Sequence, residues 1–238
     1  MCCRYYYDDD TLRIAAENLK IYRKGGTVDR RFKRDVLPSQ QAPVIFMNRG
    51  QAEPGEIAWG YPGRSGKGLV INTRSETVLD RTMFRRGFLY GRILIPASGF
   101  YEWNREKEKF SFSREDGGIL YLAGISDFFG SERRFSILTT AANESMSSVH
   151  DRMPLILEEG QTQAWLSDRE AAEELLKNMP SELLAKPEKP HKEPEVTYHQ
   201  MSLFPRGTSH ANMLACSYGD AREGQIPRPL GRSNSITY

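Results

Sequence analysis

The sequence predicts an α+β fold: a mixed, curved sheet with helices at its periphery. Two observations carry that class. Short β-type runs crowd the middle of the chain while helical patterns fall toward its ends, and strands and helices do not alternate as they do in a doubly wound fold. No repeat of fixed period is visible, which excludes solenoids and propellers. The 238 residues, 39% of them hydrophobic, suffice for a sizeable core in one large domain or two small ones. No apolar run reaches the roughly 18 residues that a membrane-spanning helix needs.

The elements follow in order. Asp8-Asp9-Asp10 ahead of Leu12, Ala15, Ala16 and Leu19 reads as a capped amphipathic helix, its acidic start matched to the positive end of the helix dipole. Val44-Ile45-Phe46, Glu56-Ile57-Ala58-Trp59 and Leu69-Val70-Ile71 read as strands, with Trp59 in the core. Val78, Leu79, Met83 and Phe84 share one face of a helix predicted over residues 76–86. Strands are predicted over 92–96, 100–103, 110–113, 119–125, 135–140 and 154–157, and helical segments over 162–177. Pro180, Pro187, Pro190 and Pro194 among Lys and Glu mark 180–195 as a solvated, flexible connection. Residues 196–201 return as a final strand. The domain is drawn as 1–203, with 204–238, rich in Gly, Pro, Arg and Ser, as a poorly ordered tail.

The net charge of +2 hides a strong asymmetry. Residues 1–95 carry 17 Lys+Arg and 10 Asp+Glu, a net of +7, whereas residues 96–200 carry 12 and 19, a net of −7. Either a basic face awaits a polyanion, or the two stretches pair their charges on folding. Cys2, Cys3 and Cys216 form an odd set with no apolar leader after Met1, as expected of reduced thiols in the cytoplasm. Neither a CxxC pair nor an HxxxH spacing is present, so no metal site is expected.

Cys2 stands directly after the initiator Met. Once Met1 is removed, the residue offers an α-amine and a thiol on one two-carbon frame. The amine, with a reference pKa of about 7.7–8, is partly neutral and nucleophilic near pH 7. Such a pair suits an aldehyde: the amine forms an imine and the thiol closes it to a thiazolidine. Three further stretches carry chemistry. Ile71-Asn72-Thr73-Arg74-Ser75-Glu76 places an amide and a guanidinium on one side of a strand end. Pro96-Ala97-Ser98-Gly99-Phe100-Tyr101-Glu102-Trp103 sets a carboxylate among aromatics, where desolvation favours its protonated form. Val149-His150-Asp151-Arg152-Met153-Pro154 brings an imidazole beside an Asp-Arg pair. Each also has a structural reading: Cys2 in a frayed terminus, Asn72 in a turn, Glu102 in an exposed alternation, His150 at a helix end.

Taken together, these stretches resemble the SRAP family (SOS response-associated peptidases, also called abasic-site processing proteins). The resemblance rests on Met1-Cys2-Cys3-Arg4, Trp59-Gly60-Tyr61-Pro62, the Asn72-Thr73-Arg74 stretch, the block ending at Trp103 and that beginning at His150, in the family's order. It implies a pseudo-barrel α+β domain that binds single-stranded DNA and links Cys2 covalently, as a thiazolidine, to the ring-opened sugar of an abasic site. It further implies Glu102 as general acid/base, Asn72 positioning Cys2 and the sugar, and His150 assisting proton transfer. Arg4, Arg74 and Arg152 would grip phosphates, and Pro38 and Met83 would be apolar wedges at the lesion. A monomer without cofactor is implied, in the cytoplasm, at the nucleoid in a bacterium or in the nucleus of a eukaryote.

The chain departs from the family pattern in two places. Cys3 replaces the usual Gly after the nucleophile, and Gly63-Arg64-Ser65-Gly66-Lys67-Gly68 stands where relatives carry further Trp residues. Two other functions stay open at this point. A thiol peptidase would use Cys2, His150 and Asn72, and a non-covalent single-strand binder would use the same residues only to hold backbone.

Overall fold

Period-2 alternation of apolar residues produces five strands that close on one another. The computed structural model describes residues 2–21, 33–63 and 66–188, all within one compact unit. Its elements run β1 (Arg4–Tyr7), α1 (Asp9–Asn18), β2 (Arg34–Val36), β3 (Gln41–Asn48), β4 (Gln51–Trp59), β5 (Tyr61–Pro62), β6 (Leu69–Val70) and β7 (Asn72–Arg74). Next come α2 (Thr82–Tyr90), β8 (Arg92–Ala97), β9 (Gly99–Trp103), β10 (Lys109–Ser113), β11 (Leu120–Phe129) and β12 (Glu132–Ala141). Last are α3 (Glu144–Ser147), β13 (Arg152–Pro154), β14 (Ile156–Leu157), α4 (Thr162–Ser167), α5 (Arg169–Leu175) and β15 (Leu184–Pro187).

The barrel order is β4-β3-β8-β11-β12, and parallel pairing of β12 with β4 closes the ring. Residues of one parity, such as Val44, Ile57, Ile93, Ile95, Leu122 and Ile137, fill the interior. Those of the other parity, such as Ile45, Leu94, Ala123, Ile125 and Leu138, form an outer cluster with Val78, Phe88 and Trp165 from the surrounding helices and turns. A second sheet, β15-β10-β9-β1-β2, is antiparallel throughout and contributes Tyr5, Phe100 and Phe112 to the interior cluster. Burying a large apolar side chain contributes about 1.5–3 kcal/mol, so this shared interior is what holds the two sheets together.

Local signals placed most elements correctly. Asp8 caps α1 by accepting from Thr11 N–H at 2.8 Å, and Trp59 is fully buried. Three expectations need correction. The helix expected over 76–86 is a 3₁₀ turn at Ser75–Thr77 followed by α2, because Thr77 O accepts from both Asp80 and Arg81 N–H and closes the chain tightly there. The strand expected over 154–157 is split. Leu155 donates to Leu138 O of β12 and accepts from Ala123 N–H of β11, so the chain crosses between two barrel strands at that point. The start of the flexible connection is β15, which pairs with β10 as an edge strand; Lys and Pro are tolerated there because one side of the strand is unpaired. The expectations for 189–195, the strand over 196–201 and the tail over 204–238 lie outside the described residues. No helix among the described residues is long and apolar enough to cross a membrane.

Candidate active site

The N-terminal segment enters the barrel interior just before β1 begins. Cys2 is only 1% exposed and belongs to the interior cluster together with Met146, Val149 and Met153. Its S–H points to Arg4 O at 3.8 Å. Parallel pairing of β7 with β12 holds Asn72, whose Nδ2 donates to Cys2 O at 2.8 Å. The other amide atom, Asn72 Oδ1, is buried without a hydrogen-bond partner among the described residues. An unmet buried acceptor of this kind costs about 1–3 kcal/mol.

β9 supplies the carboxylate. Its alternation puts Tyr101 and Trp103 on one face and Phe100 and Glu102 on the other, and Glu102 is 4% exposed. Glu102 Oε1 accepts from Trp103 N–H at 3.2 Å. Burial, reinforced by the Glu102 charge, pushes the Cys2 thiol far above its usual range. The same two causes raise the half-buried Cys3. The thiol at this site is therefore held as S–H.

His150 comes from the loop after α3, and Arg152 opens β13, paired with Ala141 of β12. Arg152 N–H donates to His150 Nδ1 at 3.0 Å, and Asp151 Oδ1 lies 2.8 Å from that same nitrogen. One nitrogen cannot accept and donate at once. Arg152 forks onto Glu76 at 2.6 and 2.8 Å and reaches Thr139 O at 2.6 Å. Its Nε is buried and without a partner among the described residues. Glu76 is held below the usual carboxylate range, mainly by its hydrogen bond to Arg152.

Arg4 pairs with Asp35 and lies over the Tyr101 ring at 5.4 Å. Arg74 is exposed and forms no ion pair among the described residues; it stands opposite Thr139, whose carbonyl Arg152 also reaches. Cys2, Asn72 and Glu102 thus form one buried group, and Arg74 and Arg152 flank Thr139 as a second. Pro38 opens the turn between β2 and β3, where Ser39 has a φ of 74°, and Met83 packs on the outer apolar cluster, whereas Cys2 is in the inner one. Sequence reasoning gave no role to Glu76, and no local signal would have done so, since 76 positions separate it from Arg152. No group of three or more His, Cys, Asp or Glu among the described residues is arranged to hold a metal ion.

The family described as SOS response associated peptidase (SRAP) matches residues 1–193. Abasic site processing protein YoaM of Bacillus subtilis is 28% identical over 159 residues, covering 61% of this chain and 70% of that protein. Abasic site processing protein YedK of Escherichia coli is 35% identical over 151 residues, covering 58% and 68%. A crystal structure of a protein from Bordetella bronchiseptica superposes with a TM-score of 0.64 at 23% identity, over 79% of this chain and all of that one. One from Bacteroides thetaiotaomicron gives 0.65 at 21%, over 79% and 93%. At such identities the structures speak for the fold.

Proposed function

The chain belongs to the SRAP family, and on that footing we propose that it processes abasic sites in DNA, binding the lesion in a single strand and joining it to Cys2 as a thiazolidine. The observation that carries the reading is the buried Cys2 with Asn72 on its carbonyl and the Glu102 charge acting on its thiol. The relatives YoaM and YedK bear the name abasic site processing protein, which supports the abasic-site part of the reading.

The steps follow from these groups. Hydrolysis of the Met1–Cys2 peptide bond frees the α-amine. An abasic sugar is mostly a closed hemiacetal, so a proton must leave its hydroxyl and reach its ring oxygen before the aldehyde appears. Glu102 performs that transfer as acid and base. The amine nitrogen attacks the aldehyde carbon, and loss of one water gives the imine. Cys2 Sγ then bonds to the imine carbon while the thiol proton passes to nitrogen. A thiol kept as S–H by burial carries the proton that this last step needs. His150 assists these transfers, and Asn72 holds the Cys2 frame while offering Oδ1 to the sugar. Arg4, Arg74 and Arg152 hold flanking phosphates, contacts that position the strand without reading its sequence. The protein acts as a monomer without a cofactor, one molecule per lesion.

A thiol peptidase would need a standing thiolate, which burial and a neighbouring carboxylate oppose. The test is a denaturing gel of Met1-processed protein, its processing verified by intact mass, after incubation with an abasic single strand. A slow band that disappears in Cys2→Ala is expected. No band, or a band that survives in Cys2→Ala, overturns the mechanism.

A further inference from the structure

One edge of β12 has a break, and Trp59 stands at it. Two strands follow each other along that edge, both parallel to β12. β4 pairs through Ala58 and Trp59 with Arg134 and Phe135, and β7 pairs through Asn72, Thr73 and Arg74 with Ile137, Leu138 and Thr139. The chain leaves the edge after Trp59, makes the β5–β6 hairpin, and returns at Asn72. Among the described residues β7 pairs with β12 alone, and it is three residues long. So short a strand needs a second hold at its entry. The Trp59 indole supplies it across the break: its N–H donates to Ile71 O at 2.9 Å, and Ile137 N–H donates to the same oxygen at 3.0 Å.

Both lone pairs of that carbonyl are thereby engaged. A peptide unit is planar, so an oxygen fixed from two directions fixes the Ile71–Asn72 plane and the Asn72 Cα at its far corner. Two side-chain torsions further on, Asn72 Nδ2 donates to Cys2 O at 2.8 Å. The indole is held in turn. It stacks on Phe135, its register partner, with ring centroids 6.1 Å apart and planes 5° from parallel. Tyr5, three residues after Cys2 on β1, meets it at 5.3 Å and 60°. Its backbone is pinned as well, since Ser39 N–H donates to Trp59 O and Trp59 N–H donates to Gln40 O. Trp59 therefore touches both arms of the buried group, that of Asn72 by a hydrogen bond and that of Cys2 through the Tyr5 ring. A Phe would satisfy apolar burial at this position; the indole N–H is what a benzene ring lacks.

Resting on the function proposed above, we propose that Trp59 is a positioning residue for the covalent step: its indole N–H aims the Asn72 amide at Cys2. Trp59 touches neither the reacting atoms nor the strand and acts through Asn72. With the N–H gone, Ile71 O keeps its bond to Ile137 and β7 keeps its register, but the peptide plane regains a freedom that swings the amide. A misplacement of about 1 Å can cost a hundredfold in rate, so a smaller shift is enough to be measured.

The test is single-turnover crosslinking of the Met1-processed full chain to an abasic single strand, read as a maximal rate and a half-saturating concentration. Trp59→Phe should lower the maximal rate about tenfold and move the half-saturating concentration by less than about twofold. Trp165→Phe is the control for lost packing. That indole is equally buried and donates to Ile93 O at 3.0 Å, but it lies in the outer cluster, so its loss should leave the rate unaltered. In an Asn72→Ala background Trp59→Phe should cost less than about twofold, because the two residues act through one contact. If Trp59→Phe does not fold, the benzothienyl analogue of tryptophan at position 59 keeps the ring shape without the N–H and should show the same loss. An unchanged rate in whichever of these folds, an equal loss in Trp165→Phe, or a full loss in the Asn72→Ala background overturns the proposal. Failure of the wild-type protein to crosslink would instead strike at the function on which it rests.

Discussion

The site has two parts of opposite character. Asn72 and Glu102 reach Cys2 from strands, are largely withdrawn from solvent, and act on one residue. His150, in the loop after α3, and Arg152, the first residue of β13, are partly solvated and engaged with Asp151, Glu76 and the Thr139 carbonyl. The first part is rigid and specific because sheet pairing positions its atoms. The second is held by pairs whose acids, Asp151 and Glu76, are exposed, so solvent weakens them. Under the function proposed above, the difference assigns covalent chemistry to the buried residues and strand capture to the partly solvated ones, whose own contacts are weak.

The largest expected effect lies on the buried side. Asn72→Ala leaves the Cys2 carbonyl unpaired and removes the Oδ1 acceptor. At about 1–3 kcal/mol for such a loss, crosslinking should slow about tenfold or more, while affinity for an intact strand stays within about twofold. Equal losses in rate and affinity would mean that Asn72 belongs to strand capture, and would erase the division between the two parts.

Next in size is the response to alkali. The Cys2 thiol has a raised pKa in the folded state, so the folded chain holds that proton more tightly than the unfolded one. Its contribution is complete below the unfolded pKa of about 8.5 and is lost as pH rises above it, with a slope of up to about 1.4 kcal/mol per pH unit. Denaturant melts from pH 7 to 10 should show this decline, and Cys2→Ala should flatten it. A wild-type profile as flat as that of the variant would place Cys2 in water instead of in the interior.

The smallest effect lies at the Arg152–Glu76 pair. Glu76→Gln releases Arg152 from a partly exposed pair, so stability should fall by no more than about 1 kcal/mol. Affinity for single-stranded DNA should rise a few-fold as the guanidinium becomes available, measured by fluorescence anisotropy. A fall in affinity would show that Glu76 holds Arg152 in its working position, making this part of the site as rigid as the buried one.

Much of this was legible before the structure. The Asp8 cap, the barrel strands and burial of Trp59 follow from local pattern, because capping and period-2 alternation depend on neighbours in the chain. The motif residues Cys2, Asn72, Glu102 and His150 were likewise visible. β1 was not, since Arg4-Tyr5-Tyr6-Tyr7 has too little contrast between its faces to declare a strand, and only pairing with β2 and β9 makes it one. The Arg152–Glu76 fork was hidden for the same reason, its partners being far apart in sequence.

The charge asymmetry marks the boundary most clearly. The sequence by itself determined that positive charge gathers in residues 1–95 and negative charge in 96–200, and it carried the motifs that place the chain in its family. Which charges face one another was decided only by the tertiary structure. Arg86 pairs with Asp127 and Arg152 with Glu76, across the two stretches. Lys109 and Lys186, from the acidic stretch, join Arg4 and Lys33 on the outer face of the second sheet. Coulomb interaction depends on distance through space and on burial, and strand register sets both, bringing together residues that the chain keeps more than a hundred positions apart.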